Sequence, residues 1–231
     1  MRERVLVDND IALKIACYAL CAEMLAVATI NGDPPSLLGV ARFVIRRRLT
    51  RAANIANKQA ASAAFGDLLR SMVTIEPNEM ELTIAADLEA EAVRRNLEFD
   101  IGESQLVAVL ANRGCDLLLT GDKRAIAAMA IIAPAEACGR VACLEQLLGE
   151  IVRRIGAGRI RTQVCDEPGV DEAITACFAC ASTAAPSGDD VLGGLASYIG
   201  HLARSAPGVL VDCNDLRAIA GIGIPTPGSE A

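Results

Sequence analysis

The chain contains no tryptophan, and aromatic residues make up only 3% of its 231 positions. Base stacking on aromatic platforms is therefore excluded as its main grip on nucleic acid. Histidine occurs once, at His201, and no Gly-x-Ser-x-Gly stretch is present, so triad chemistry has little support. No Walker loop occurs, and Gly156-Ala157-Gly158 alone is too weak a signal for dinucleotide binding. Apolar runs are cut short by Lys14, Glu23 and Pro134, which excludes a bilayer-spanning helix. Positive charge is in deficit: 22 Lys and Arg stand against 29 Asp and Glu, a net charge of -7. That balance excludes a uniformly basic nucleic-acid footprint and leaves room for a local basic face.

No signal-peptide pattern is present, since Met1-Arg2-Glu3-Arg4 runs straight into a short apolar segment. The nine cysteines are odd in number and irregularly spaced. Together these features predict a reducing, cytoplasmic setting with free thiols and no membrane association. A composition of 52% hydrophobic and 22% charged residues predicts a filled core rather than disorder. The length suits one domain with an appendage, or two small domains.

Residues 4–8 form an apolar run that predicts a buried strand ending on Asp8. A strongly apolar helix is expected over 11–27, then a loop at Asn31-Gly32-Asp33-Pro34-Pro35. Ser36 is expected to cap a helix over 37–48, followed by a helix over 51–71. A short strand over 72–75 precedes a helix capped by Asn78 and running to Arg95, with Glu79 and Glu81 at its positive end. The segment 103–113 reads as a buried helix ended by Gly114. Residues 117–120 read as a buried strand, 123–131 as a helix, 141–144 as a strand and 145–155 as a helix. This alternation predicts an α/β fold with a mainly parallel sheet. Residues 1–158 are expected to form that domain, 159–215 a helical extension and 216–231 a flexible tail. The helices 170–184 and 189–206 offer a homodimer or partner surface, or a cover for the sheet.

Acidic residues fall at the ends of these elements. Asp8 and Asp10 follow the first strand, Asp100 and Glu103 open the buried helix, and Asp122 follows Leu117-Leu118-Leu119-Thr120-Gly121. Strand-end carboxylates of a parallel sheet converge on one rim. Gathered carboxylates repel one another unless a cation sits among them, and oxygen donors suit Mg²⁺ or Mn²⁺. Asp8, Glu103 and Asp122 are the principal candidate ligands, with Asp10 and Asp100 in reserve. The Thr120 hydroxyl is placed to orient a carboxylate or a metal-bound water. Asp116 precedes its strand and is expected at the opposite edge.

An N-terminal strand ending in Asp, a Gly-Glu opening a buried helix, and an apolar strand ending in Thr-x-Asp resemble the PIN-domain nucleases. The matching stretches, Val5–Asp10 and Asp100–Arg124, lie in an element order that spans residues 1 to about 148. The resemblance implies a three-layer α/β/α PIN-like domain with a central parallel sheet. It also implies a Mg²⁺- or Mn²⁺-dependent ribonuclease, as in toxins of toxin–antitoxin pairs, with RNA as substrate and an antitoxin-like protein as partner. On that match Asp8 is the first acid, Glu103 the third and Asp122 the last. Such nucleases usually carry a further glutamate early in the second or third helix. The stretch Leu37–Val44 has none, and Arg42 and its neighbours stand there instead. Either the site borrows Asp10 or Glu23, or it manages with fewer acids, or the domain is a non-catalytic module that binds RNA or protein.

Arg42, Arg46, Arg47, Arg48, Arg51 and Lys58 occupy a stretch free of acids. Several share a helical face, which fits either a strip gripping an RNA backbone or a solvated face paired with the acids of 79–98. Cys177-Phe178-Ala179-Cys180 is a single CxxC. It reads as core packing, as a redox pair, or as half a zinc site completed by Cys165, Cys213 or His201. Cys17 and Cys21 read as core. A competing enzyme class is the haloacid-dehalogenase-type phosphatase, whose nucleophile and acid Asp8-Asn9-Asp10 mimics. Against it, Gly and Thr do not follow Asp10, and Ile126 stands where another Asp is wanted.

Overall fold

Residues 3–212 are described by the computed structural model of the chain. The tail expected at 216–231 and the candidate zinc ligand Cys213 lie outside them. In chain order the elements are β1 (Val5–Val7), α1 (Asn9–Cys17), α2 (Cys21–Ala28), β2 (Ser36–Leu38), α3 (Ala41–Arg51), α4 (Lys58–Ser71), β3 (Val73–Ile75), α5 (Glu79–Arg94), α6 (Ile101–Asn112), β4 (Leu117–Thr120), α7 (Lys123–Ile132), α8 (Pro134–Ala137), β5 (Val141–Cys143), α9 (Leu144–Ile155), α10 (Ala157–Cys165), α11 (Glu172–Cys177) and α12 (Gly188–Ser205).

The five strands form one parallel sheet in the order β3-β2-β1-β4-β5, with helices on both faces, as in a three-layer α/β/α fold. Alternating side chains of β1 and β4 divide the core. Val5, Val7, Leu117 and Leu119 pack into a cluster with α1, α2, α3 and α4. Leu6 and Leu118 enter the opposite cluster, with α6, α7 and β5. Full burial of each such side chain stabilises the fold by about 1.5–3 kcal/mol. This explains why β1 and β4 read as unbroken apolar runs.

The connections decide where the site can be. From β1 the chain crosses to β2 and then β3 on one side, and it returns through α5 and α6 to β4 on the other side of β1. β1 and β4 therefore flank the point where the winding reverses. A crevice opens there outside the carboxyl ends of the strands.

Three expectations from sequence need correction. Ser36 is not a helix cap: Ser36-Leu37-Leu38 is β2, paired with Leu6 on one side and with Val73–Ile75 on the other, so there is a strand where a helix over 37–48 was expected. The helix begins only at Ala41. The helix expected over 11–27 is two helices, broken at Tyr18–Leu20 with Ala19 at φ +52°. The break lets Tyr18 and Leu20 both be fully buried. The helix expected over 51–71 begins at Lys58, because Arg51 is the last residue of α3.

The helices after residue 156 pack onto the sheet domain. Val191 and Leu195 of α12 and Ile174 and Phe178 at α11 join the first core cluster, and Leu202 and Ala206 join the second. The segment after α12 is stitched to the sheet edge: the Val211 amide donates to the Val141 carbonyl at 2.8 Å. Among the described residues no helix is long and apolar enough to cross a membrane.

Candidate active site

Each acid at the crevice is fixed by a local rule of chain geometry. Asp8 leaves β1 in an extended conformation and caps α1, its Oδ1 accepting from the Asn9 amide at 2.6 Å. Asp122 leaves β4 and caps α7, accepting from the amides of Arg124 (2.8 Å) and Ala125 (3.1 Å). Asp100 caps α6 and forms a reciprocal capping box with Glu103: Asp100 Oδ1 accepts from the Glu103 amide at 3.1 Å, and Glu103 Oε2 from the Asp100 amide at 2.6 Å. Three helix N-termini thus point at one crevice, and their dipoles favour negative charge there.

Thr120 ties the two central strands together at the rim. Its hydroxyl donates to Asp8 Oδ2 at 3.1 Å and accepts from the Asp122 amide at 3.2 Å. Gly121 lies close against Asp10: a Cβ on it would meet the Asp10 carboxylate, which would have to turn aside.

Asp8, Asp100, Glu103, Gly121 and Asp122 line one cleft of about 440 Å³, with Thr120 buried behind them. Asp8, Asp10, Asp100, Glu103, Asp122 and Asp171 supply negative charge; Lys14, Arg48, Lys123 and Arg124 supply positive. Sequence reasoning brought the first five acids together and named Arg48 in the arginine strip, but missed Asp171, Lys14, Lys123 and Arg124. Lys14 Nζ lies 2.7 Å from Asp10 Oδ2 and 2.8 Å from Asp171 Oδ2. Burial opposes its charge, but the two carboxylates outweigh it and raise its pKa. Asp171 is likewise held below the usual carboxylate range, Lys14 overcoming the effect of burial. Lys123 Nζ reaches the buried Glu145 of α9 at 2.6 Å and sits 5.0 Å over the Tyr198 ring. Lys14 had a visible signal, a lone cation four residues after Asp10 on an apolar helix. Asp171 had none, because it arrives from a distant turn.

The innermost acids hold protons unusually well. Burial, then the neighbouring Asp10 charge, pushes the Asp8 carboxyl up to about 6, although the Asn9 amide and Thr120 hydroxyl work against this. Burial pushes Glu103 up to about 8; the charges of Asp100, Asp122 and Asp8 add to it, and the Asp100 amide opposes it. Both shifts come first from burial, with the neighbouring negative charges adding to it.

This donor set fits a hard divalent cation: it is all oxygen, and a positive ion would favour the charged forms of Asp8 and Glu103, which burial and neighbouring acids disfavour. Among the described residues, no three Asp, Glu, His or Cys side chains are already gathered tightly enough to hold an ion by themselves. Mg²⁺ commonly needs only one or two carboxylates, with waters and substrate phosphate completing its shell.

The arginine strip divides. Arg48 lines the cleft, 3.9 Å from Asp10. Arg47 and Arg51 line a neighbouring groove of about 500 Å³ with Val44, Arg48 and Ala52. Arg42 lies over its neighbour Phe43, 4.6 Å from the ring centre, and Arg46 is exposed on the same helix. The expected pairing with the acids of 79–98 is absent among the described residues. Those acids have other partners: Glu81 binds Arg113, Glu91 binds Arg94 and Arg95, and Glu98 binds Arg124. Asp116 pairs with Arg4, away from the cleft.

The expectation of free thiols throughout is corrected: Cys165 and Cys180 form a disulfide, with Cα atoms 5.2 Å apart. The CxxC sulfurs are therefore neither a redox pair with each other nor, as they stand, zinc ligands. Cys177 is a buried free thiol, and Cys17 is also buried.

No family model matches the chain, and no curated protein matches it. Among solved structures, the crystal structure of PAE2754 from Pyrobaculum aerophilum is similar over 66% of this chain and 99% of that one, at 20% identity and a TM-score of 0.44.

Proposed function

We propose that the protein is a metal-dependent endoribonuclease that hydrolyses RNA phosphodiester bonds at the cleft between β1 and β4. The observation that carries this reading is the convergence of Asp8, Glu103 and Asp122, more than a hundred residues apart at the extremes, on one crevice at the winding reversal. A bound Mg²⁺ or Mn²⁺ supplies positive charge at the phosphate and a more acidic water. Asp8, Glu103 and Asp122 would hold it, with Asp10 and Asp100 behind them.

The chain's own groups account for the remaining work. Thr120 fixes the Asp8 carboxylate by its hydrogen bond, so that acid presents one orientation. Glu103 engages the Asp100 amide through Oε2, so a proton it carries is held at Oε1. With its carboxyl raised to about 8, it holds that proton near neutral pH while the cleft is metal-free, and a cation taken up by Glu103 would displace the proton. Arg48 offers a cationic contact for a flanking phosphate. The exposed arginines of α3 extend that contact along the groove beside the cleft. A cytoplasmic RNA target and an antitoxin-like protein partner belong to the same proposal.

Cleavage of single-stranded RNA tests the reading. Wild type is expected to cut with Mn²⁺ and to stop with chelator, and Asp122→Asn to be inactive with Mn²⁺. Cutting that persists in chelator counts against it. Replacing Arg46, Arg47 and Arg48 by Gln is expected to weaken RNA binding and flatten its salt dependence, each lost phosphate contact reducing the log–log slope by about 0.7. An unchanged slope assigns the strip to solvation alone.

A second reading, the non-catalytic module, is favoured by one observation. Val44 and Arg48 line the cleft on the α3 side, where the resemblance leads one to expect glutamate. RNA binding without cleavage in Mn²⁺ would select it. Loss of a phosphomonoesterase activity in Asp8→Asn would instead revive the phosphatase alternative.

A further inference from the structure

Asp171 enters the cleft from outside the sheet domain, on the turn between α10 and α11. The segment that carries it is closed on itself by the Cys165–Cys180 disulfide, which spans 15 residues. Beside the burial of Ile174 and Phe178 in the core, this closed segment makes polar contacts with the sheet domain at three places. Asp171 Oδ2 takes the Lys14 ammonium at 2.8 Å. The buried carboxylate of Glu167 accepts from the amides of Ala56 (2.7 Å) and Asn57 (2.6 Å), ahead of α4. The Gly169 carbonyl accepts from Asn54 Nδ2 at 2.7 Å. A Cβ on Gly169 would collide with the Asn54 carbonyl, so the two backbones approach closely here.

We propose that Asp171 is a positioning residue of the cleft, and that the Cys165–Cys180 bond places it under redox control. This rests on the nuclease reading and names a regulation of that same site. Asp171 acts through Lys14. Asp10 and Asp171 together more than balance the Lys14 charge and hold it on the α1 side of the cleft. Without Asp171 the cleft loses one negative charge and Lys14 is balanced by Asp10 alone, so a cation held by Asp8, Glu103 and Asp122 is attracted less strongly.

The two bonded sulfurs belong to half-buried residues, within reach of a small dithiol. A thiolate of the dithiol attacks one sulfur and forms a mixed disulfide, and its second thiolate then releases the other cysteine. Two electrons pass to Cys165 and Cys180, each sulfur takes a proton, and the dithiol closes into its own disulfide. Opening the loop frees its ends and so weakens the hold of Glu167 and Asp171.

The test measures Mn²⁺ affinity and amide exchange on the full chain, before and after treatment with dithiothreitol. Oxidised protein is expected to show at least two fewer titratable thiols than the reduced protein, those of Cys165 and Cys180. Reduction is expected to weaken Mn²⁺ binding by about five- to tenfold and to speed exchange at the Ala56 and Asn57 amides. Cys165→Ser/Cys180→Ser should show the weakened affinity without reductant and no further response to it. Asp171→Asn should weaken Mn²⁺ binding similarly, and adding Lys14→Met should restore it, a coupling that a merely structural role would not produce. Nine reactive thiols in unreduced protein, unchanged exchange on reduction, or no rescue by Lys14→Met would each overturn the proposal. If Mn²⁺ binds in neither redox state, the nuclease reading fails. Thiol count and amide exchange then report separately on the redox-controlled loop.

Discussion

Asp8→Asn is expected to lower the rate of RNA cleavage by about 10²–10⁴-fold while leaving the protein folded. Asparagine keeps a side-chain oxygen able to accept from the Asn9 amide, so the cap of α1 survives. It can also accept from Thr120 only through that one oxygen, so the link across the rim is weakened. What is lost is a formal charge at the innermost point of the cleft, where burial makes charge count most. The measurement is single-turnover cleavage at saturating Mn²⁺, with near-UV circular dichroism as the check on folding. A folded variant that cuts RNA at the wild-type rate removes Asp8 from the chemistry.

Glu103→Gln should produce the opposite signs in stability and activity. The Glu103 carboxyl is raised by burial and by neighbouring acids from 4.5 to about 8 in the folded chain. A raised carboxyl contributes stability below its unfolded pKa and loses it as pH climbs through the folded value. The metal-free wild type is therefore expected to lose thermal stability between about pH 5 and pH 8, with Asp8, raised to about 6, adding to the early part of the fall. Glutamine cannot ionise, and its oxygen can still accept from the Asp100 amide. Glu103→Gln should raise Tm by about 5 °C at pH 8, change it little at pH 5, and abolish cleavage. Saturating Mn²⁺ should stabilise wild type more than the variant at pH 8. Parallel Tm–pH curves for the two proteins would rule out Glu103 as the titrating group.

The strands that build the crevice were legible because β1 and β4 are buried on both faces and cannot alternate. Val5-Leu6-Val7 and Leu117-Leu118-Leu119 announce this directly. Their terminal acids follow from the geometry of parallel sheets, so Asp8 and Asp122 could be placed on one rim without coordinates. β2 was hidden because three residues carry too little pattern, and Leu37-Leu38 continue into the apolar positions of α3. The break at Ala19 has no glycine or proline to mark it; tertiary burial of Tyr18 and Leu20 imposes it. Cysteine spacing drew attention to Cys177 and Cys180, but pairing depends on which residues the turn at 166–171 brings together, and Cys165 was the partner. Asp171 lay beyond any local rule, since its position depends on how the extension docks.

The helix caps at the cleft carry a consequence for how this protein can change over time. Asp8, Asp100 and Asp122 each terminate a helix through the same carboxyl groups offered to a cation, and Glu103 closes a reciprocal box. Replacing a cap by alanine typically costs about 1 kcal/mol of stability. Selection for folding alone would therefore keep these side chains in a descendant that had abandoned hydrolysis. Drift should first show at Lys14 and Thr120, which cap no helix, whereas Asp171 is kept by its cap on α11.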